Sequence, residues 1–132
     1  MKVMIDTNIF ISMIFFPSEQ TRKLARKLTQ QHHIVVCDYV IEELRLVTMR
    51  KFPRKIGYLD QFFLELPFEL VYTPKSFDVR NFPEMRDCKD SPILATAIME
   101  NVDIILTGDK DFLVLDLETP TICTIREFLE KY

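Results

Sequence analysis

Four acids stand where a carboxylate can do chemistry: Asp6, Glu43, Asp90 and Asp109. Asp6 closes the apolar run KVMI and Asp109 follows DIILTG, so each falls just past the end of a short strand. Parallel strands all point one way, which puts both acids on the carboxyl edge of the sheet, where open α/β sheets bind ligands. Asp90 precedes a helix whose start opens at the same edge, and Glu43 must reach over from another helix. Four carboxylates in one cleft repel one another by about 4 kcal/mol per pair at ~4 Å and an effective dielectric of ~20. A hard divalent cation relieves that repulsion, and all-oxygen ligation without histidine or thiolate suits Mg²⁺ or Mn²⁺ rather than zinc. The reaction such parts suit is hydrolysis of a phosphodiester by water, whose pKa a metal lowers. No Ser-His or Cys-His pairing competes with water as the attacker. Three of the four have a plainer role as well: Asp6 and Asp90 can cap helices, and Glu43 can reach out to solvent from the edge of a core stripe.

The elements that must position these acids follow from periodicity. Val3, Met4 and Ile5 read as a strand covered on both faces. Residues 8–16 form a buried helix ended by Pro17, and Ser18 caps the next one. In SEQTRKLARKLTQQ the apolar stripe is Leu24, Ala25 and Leu28, while Arg22, Lys23, Arg26 and Lys27 make a basic outer face, for which simple solvation is the plain explanation. HIVVC is the second strand, and Asp38 is expected to cap the helix DYVIEELRLVTMRKF. At about 100° per residue, Val40, Ile41, Leu44 and Val47 centre its buried stripe. Glu43 then lies on the flank of that stripe and Glu42 nearly opposite, so Glu43 is the one able to reach inward.

Pro53 breaks the chain, and RKIGYLDQFFLEL adds a helix with Leu59, Phe62, Phe63 and Leu66 on its apolar side. FELVY is a third strand. The connection PKSFDVRNFPEMRD is long and lacks periodicity, which in a small domain points to function. Pro92 then opens the helix ILATAIMENV, capped by Asp90 or Ser91. Ile104, Ile105 and Leu106 form a fourth strand, the chain turns at Gly108, and Asp109 and Asp111 open a short helix. PTICTI and REFLEKY supply the last strand and helix. Strands alternating with helices, without hairpin signals, predict an α/β fold with a mainly parallel sheet and helices on both faces.

Composition narrows the function. The 132 residues, 48% hydrophobic, suit a single domain over 1–132. With only Gly57 and Gly108, neither a P-loop nor a dinucleotide fingerprint can be written. The longest apolar run, IFISMIFF, is far short of a membrane span, and no basic segment with a cleavage site opens the chain, so a soluble cytoplasmic protein is expected. Cys37, Cys88 and Cys123 lack CxxC spacing, which speaks against structural zinc and a disulfide framework. His32 and His33 are expected as solvated loop residues. The net charge is -3, yet Arg22, Lys23, Arg26, Lys27, Arg45, Arg50, Lys51, Arg54 and Lys55 are concentrated in one stretch. One basic side and one acid cluster suit a reader of a phosphate backbone.

The strand-final acid in MIDTNI, the helical EEL, the acid before the helix in DCKDSPILATAI and the turn TGDKDF together resemble the PIN domain, in order and spacing over nearly the whole chain. The resemblance is strongest to the small toxin components of prokaryotic toxin-antitoxin pairs. It implies a three-layer fold with about five strands, and a Mg²⁺- or Mn²⁺-dependent endoribonuclease that leaves a 5′-phosphate and a 3′-hydroxyl. It also implies that Asp6, Glu43, Asp90 and Asp109 hold the metal, with Thr7, Asn8 and Thr107 as the polar groups behind them. Asp111 stands as an occasional extra acid. DCKDS departs from the DPDDN wording of relatives, which leaves Asp87 a supporting acid at most. On this reading single-stranded RNA lies on Arg22, Lys23, Arg26, Arg45, Arg50, Lys51, Arg54 and Lys55. A homodimer and an antitoxin protein are the implied partners, with no membrane. Phe62, Phe63, Phe77 and Phe82 could serve such an interface, although core packing accounts equally well for the first two. One alternative is a PIN scaffold that binds RNA or a protein without cleaving. Another is a phosphate acceptor of the receiver type, which ranks low because Arg126, not a lysine, follows the last strand.

Overall fold

A computed structural model describes residues 1–75 and 91–132. Its five strands are β1 (Lys2–Ile5), β2 (His33–Cys37), β3 (Glu69–Val71), β4 (Ile104–Leu106) and β5 (Thr121–Cys123). They form one sheet in the order β3-β2-β1-β4-β5, and every pairing is parallel. Val3, Met4 and Ile5 are all completely buried. Successive strand residues point to opposite faces, so burial of all three requires that both faces of the sheet be covered. The same holds for Ile104, Ile105 and Leu106.

The chain leaves β1 in one direction to build β2 and β3, then returns to place β4 on the other side of β1. This reversal makes the carboxyl end of β1 a topological switch point, where parallel sheets open a crevice. Asp6 is the first residue past that end, with its N–H donating to Leu106 O at 2.9 Å.

The helices are α1 (Thr7–Phe15), α2 (Glu19–Gln31), α3 (Asp38–Lys51), α4 (Ile56–Glu65), α5 (Ser91–Met99), α6 (Lys110–Leu113) and α7 (Ile125–Lys131), with a 3₁₀ turn at Pro53–Lys55. α3 packs on α1, α4 and α5, and α2 packs on α7. Ser18 with Thr21 starts α2 by a reciprocal capping box, and Thr124 with Glu127 starts α7 in the same way. Phe62 and Phe63 turn to the core, with their ring centroids 6.1 and 5.2 Å from that of Phe10. Cys37 and Cys123 are buried free thiols. No helix among the described residues is long and apolar enough to cross a membrane.

Several expectations change. Asp38 is the first residue of α3 rather than its cap. The cap position falls to Cys37, which makes no capping side-chain bond. The stripe of α3 is centred on buried Val40, Leu44 and Thr48, with Ile41 and Val47 only half-buried. Thr48 is tolerated there because its hydroxyl donates to Leu44 O at 2.7 Å. His32 is not a solvated loop residue: its ring lies 5.2 Å from Phe128 and 6.4 Å from Tyr132. Both its nitrogens are buried without a hydrogen-bond partner among the described residues. His33 opens β2 and meets Glu69 across the strands at 2.7 Å. Phe77, Phe82, Cys88 and most of the long connection lie outside the described residues.

Candidate active site

Asp6 is only 3% exposed, and both its carboxylate oxygens are held. Oδ1 accepts the N–H of Thr7 at 2.7 Å, which caps α1, and Oδ2 accepts the hydroxyl of Thr107 at 2.8 Å. The Thr107 hydroxyl in turn accepts the N–H of Asp109 at 3.0 Å, and Asp109 Oδ1 accepts the N–H of Asp111 at 2.9 Å. The ends of β1 and β4 are thus joined by one chain of hydrogen bonds that orients two acids at the switch point. Burial pushes the Asp6 carboxyl above its ordinary value of 3.8, against the lowering effect of the bonds from Thr107 and Thr7. The negative charges of Glu43 and Asp109 raise it further.

These residues open onto a cleft of about 500 Å³ whose wall includes Asp6, Thr7, Asn8, Glu43 and Asp109. Glu43 is half-buried and reaches this cleft, whereas Glu42 is exposed and does not line it. Thr7 is 3% exposed, and its hydroxyl has no hydrogen-bond partner among the described residues. An orphaned buried hydroxyl beside a carboxylate of raised pKa is the environment a cation or its bound water completes. The donor set, oxygens only, fits a hard divalent ion. Among the described residues, no three metal-binding side chains stand together as a ready cage. Asp90 and Asp87 lie outside the described residues. Asp111 stands behind Asp109 through its backbone and does not line the cleft.

The basic residues divide. Arg50 and Lys51 line the cleft itself. Arg45 is held by Asp60 at 2.7 Å and borders a separate apolar groove between α3 and α4. Lys23 pairs with Glu19 at 3.6 Å, and Lys23 and Arg26 lie beside Leu129 of α7, on a different surface. Arg22 and Arg54 are exposed, and the Lys55 ammonium sits 5.8 Å from the Phe52 ring. Tyr39, not among the residues expected at the site, also lines the acid cleft. Its spacing of one helical turn before Glu43 was the available signal.

The model of the PIN domain family matches residues 2–111. Among solved structures, a chain of VapBC2 from Rickettsia felis, crystallised with a DNA fragment from its promoter, superposes with a TM-score of 0.74 at 18% identity, over 94% of this chain and 98% of that one. A chain of DNA-bound VapBC from Salmonella typhimurium gives 0.71 at 16% identity, over 95% and 98%. At such identities the likeness is one of fold. No curated protein matches the sequence.

Proposed function

Because the chain belongs to the PIN domain family, we propose that it is a divalent-metal-dependent endoribonuclease, and the toxin of a toxin-antitoxin pair. The observation that carries this reading is the buried Asp6 carboxylate at the switch point, sharing one cleft with Glu43, Asp109 and the orphaned Thr7 hydroxyl. Asp6, Glu43 and Asp109, with Asp90, are the residues that would hold Mg²⁺ or Mn²⁺. When bound, the ion supplies an activated water and offsets charge on the phosphate. The chain's own residues do the rest. Thr107 and the Thr7 N–H fix the direction of the Asp6 carboxylate, and Arg50 and Lys51 neutralise phosphates next to the one attacked. Water as nucleophile agrees with the lack, among the described residues, of a serine or cysteine paired with a histidine, and the PIN family's metal-and-water mechanism implies a 5′-phosphate and a 3′-hydroxyl. The fold shared with VapBC chains supports an antitoxin protein as partner, and a homodimer working in the cytoplasm completes the proposal.

The test is cleavage of single-stranded RNA by the purified protein, with Mn²⁺ or Mg²⁺ and with EDTA, the product ends being read by phosphatase and ligation. Metal-dependent scission leaving 5′-phosphates is expected. RNA that is bound but left intact in both metals would establish the non-cleaving scaffold instead.

A further inference from the structure

The acid cleft has an apolar wall that metal chemistry does not need. Tyr39, Ile11, Leu46 and Val47 line it together with the acids, and Leu46 is 66% exposed. Along α3 the cleft-lining residues Tyr39, Glu43, Val47 and Lys51 recur at every fourth position, with Leu46 and Arg50 beside them. They therefore form one face of the helix. At ~1.5 Å per residue, Tyr39 lies ~6 Å to one side of Glu43 along the axis, and Arg50 and Lys51 lie ~11–12 Å to the other. The order along the face is aromatic ring, acid, aliphatic surface, cations.

The start of this face is held by hydrogen bonds. The Tyr39 N–H donates to Asp38 Oδ1 at 2.9 Å, and the same oxygen accepts both the N–H of Thr73 at 2.8 Å and its hydroxyl at 2.7 Å. At the far end neither Arg50 nor Lys51 is in an ion pair among the described residues, unlike Arg45. An aromatic ring stacks on any unpaired nucleobase, and cations spaced along a groove follow the backbone. Paired bases hide the faces that such a ring needs.

Resting on the ribonuclease reading above, we infer that α3 is the track on which single-stranded RNA lies. Tyr39 stacks on the base next to the scissile phosphate, and Arg50 and Lys51 hold phosphates on its other side. The basic residues of α2 face elsewhere and take no part in this register. Stacking and charge then make separable contributions, one insensitive to salt and one dependent on it.

The experiment measures binding of a fluorescein-labelled oligouridylate in EDTA, across a salt series, so that cleavage plays no part. Tyr39→Ala and Tyr39→Leu are expected to weaken binding by ~5- to ~140-fold without changing the salt slope, and Tyr39→Phe to stay within about twofold of the wild type. Leucine keeps the ring's partial packing against the core, so Tyr39→Leu decides the matter if the alanine variant does not fold. Arg50→Ala and Lys51→Ala should each flatten the salt slope by about 0.7. With an oligomer of the same backbone lacking its bases, the wild type and Tyr39→Leu should bind alike. The inference is overturned if Tyr39→Leu binds the oligouridylate as well as the wild type, or loses equally on the baseless strand, or if the wild type binds neither. Binding that follows the expected pattern in a protein that never cleaves would sink the nuclease reading and leave the track standing.

Discussion

Asp6 is asked to carry a charge in a place that resists one. Its oxygens cap α1 and accept the Thr107 hydroxyl, yet burial and the neighbouring acids hold its pKa above the unfolded value. A carboxyl whose folded pKa is raised loses stability as pH climbs from the unfolded value through the folded one, because the unfolded chain ionises more readily. Asp6→Asn keeps an oxygen for the Thr7 N–H and removes the charge. It should abolish metal-dependent RNA cleavage while melting higher than the wild type in EDTA at neutral pH. The gap in melting temperature should shrink to nothing below about pH 3.8, the ordinary value of this carboxyl. A variant that melts lower at neutral pH would show that Asp6 holds the fold together rather than straining it. The position of Asp6 was legible in the sequence because a strand end is a local feature. So was the choice of Glu43 over Glu42, which needs only the helical period. Thr7 and Thr107 were legible only through the family resemblance, since the Thr107 bond to Asp6 depends on β4 lying beside β1.

At the scale of elements, two carboxylates at helix starts behave in opposite ways. Asp38, at the start of α3, is raised by burial, but bonds from Thr73, Tyr39 and Cys37 outweigh this and leave it below its ordinary value. A lowered carboxyl contributes stability above its unfolded pKa and loses it as pH falls through the folded one. Asp38→Asn should therefore melt below the wild type at neutral pH, with the two curves meeting in acid, the reverse of Asp6→Asn. Local rules identified a helix start at Asp38; they could not see Thr73, which parallel pairing of β2 with β3 delivers from 35 residues away. His32 was misread for the same reason, since the rings that bury it belong to the last helix. Burial, then the N-terminal amine and Lys27, hold its pKa below the ordinary 6.5. Stability is present above that value and lost as pH falls toward the folded pKa. His32→Phe, which suits the ring pocket of Phe128 and Tyr132, should flatten the fall in melting temperature as pH drops below the ordinary 6.5. An equally steep fall in the variant would place the acid sensitivity elsewhere.

The whole molecule sets apolar economy against charge. Alternating strands and helices announced a parallel α/β sheet, because burial of consecutive residues is written in runs such as KVMI and DIIL. The order β3-β2-β1-β4-β5 was not written anywhere, since the pairing of β1 with β4 joins residues about a hundred positions apart. That order creates the crevice and brings like charges from β1, α3 and the end of β4 onto it, in a protein already net negative. The cleft thus carries an electrostatic penalty that, on the proposed reading, a divalent cation would remove. A ligand that binds only the folded state stabilises it by about 2.7 kcal/mol at a hundred times its dissociation constant. Mn²⁺ or Mg²⁺ should accordingly raise the melting temperature of the wild type, most strongly at low ionic strength, where screening is weakest. Asp6→Asn and Glu43→Gln should each show a smaller rise, and Asp60→Asn, on α4 where it pairs with Arg45 outside the acid cleft, should respond as the wild type does. If Asp60→Asn lost the response as fully as Asp6→Asn, the ion would be neutralising overall charge rather than entering the cleft.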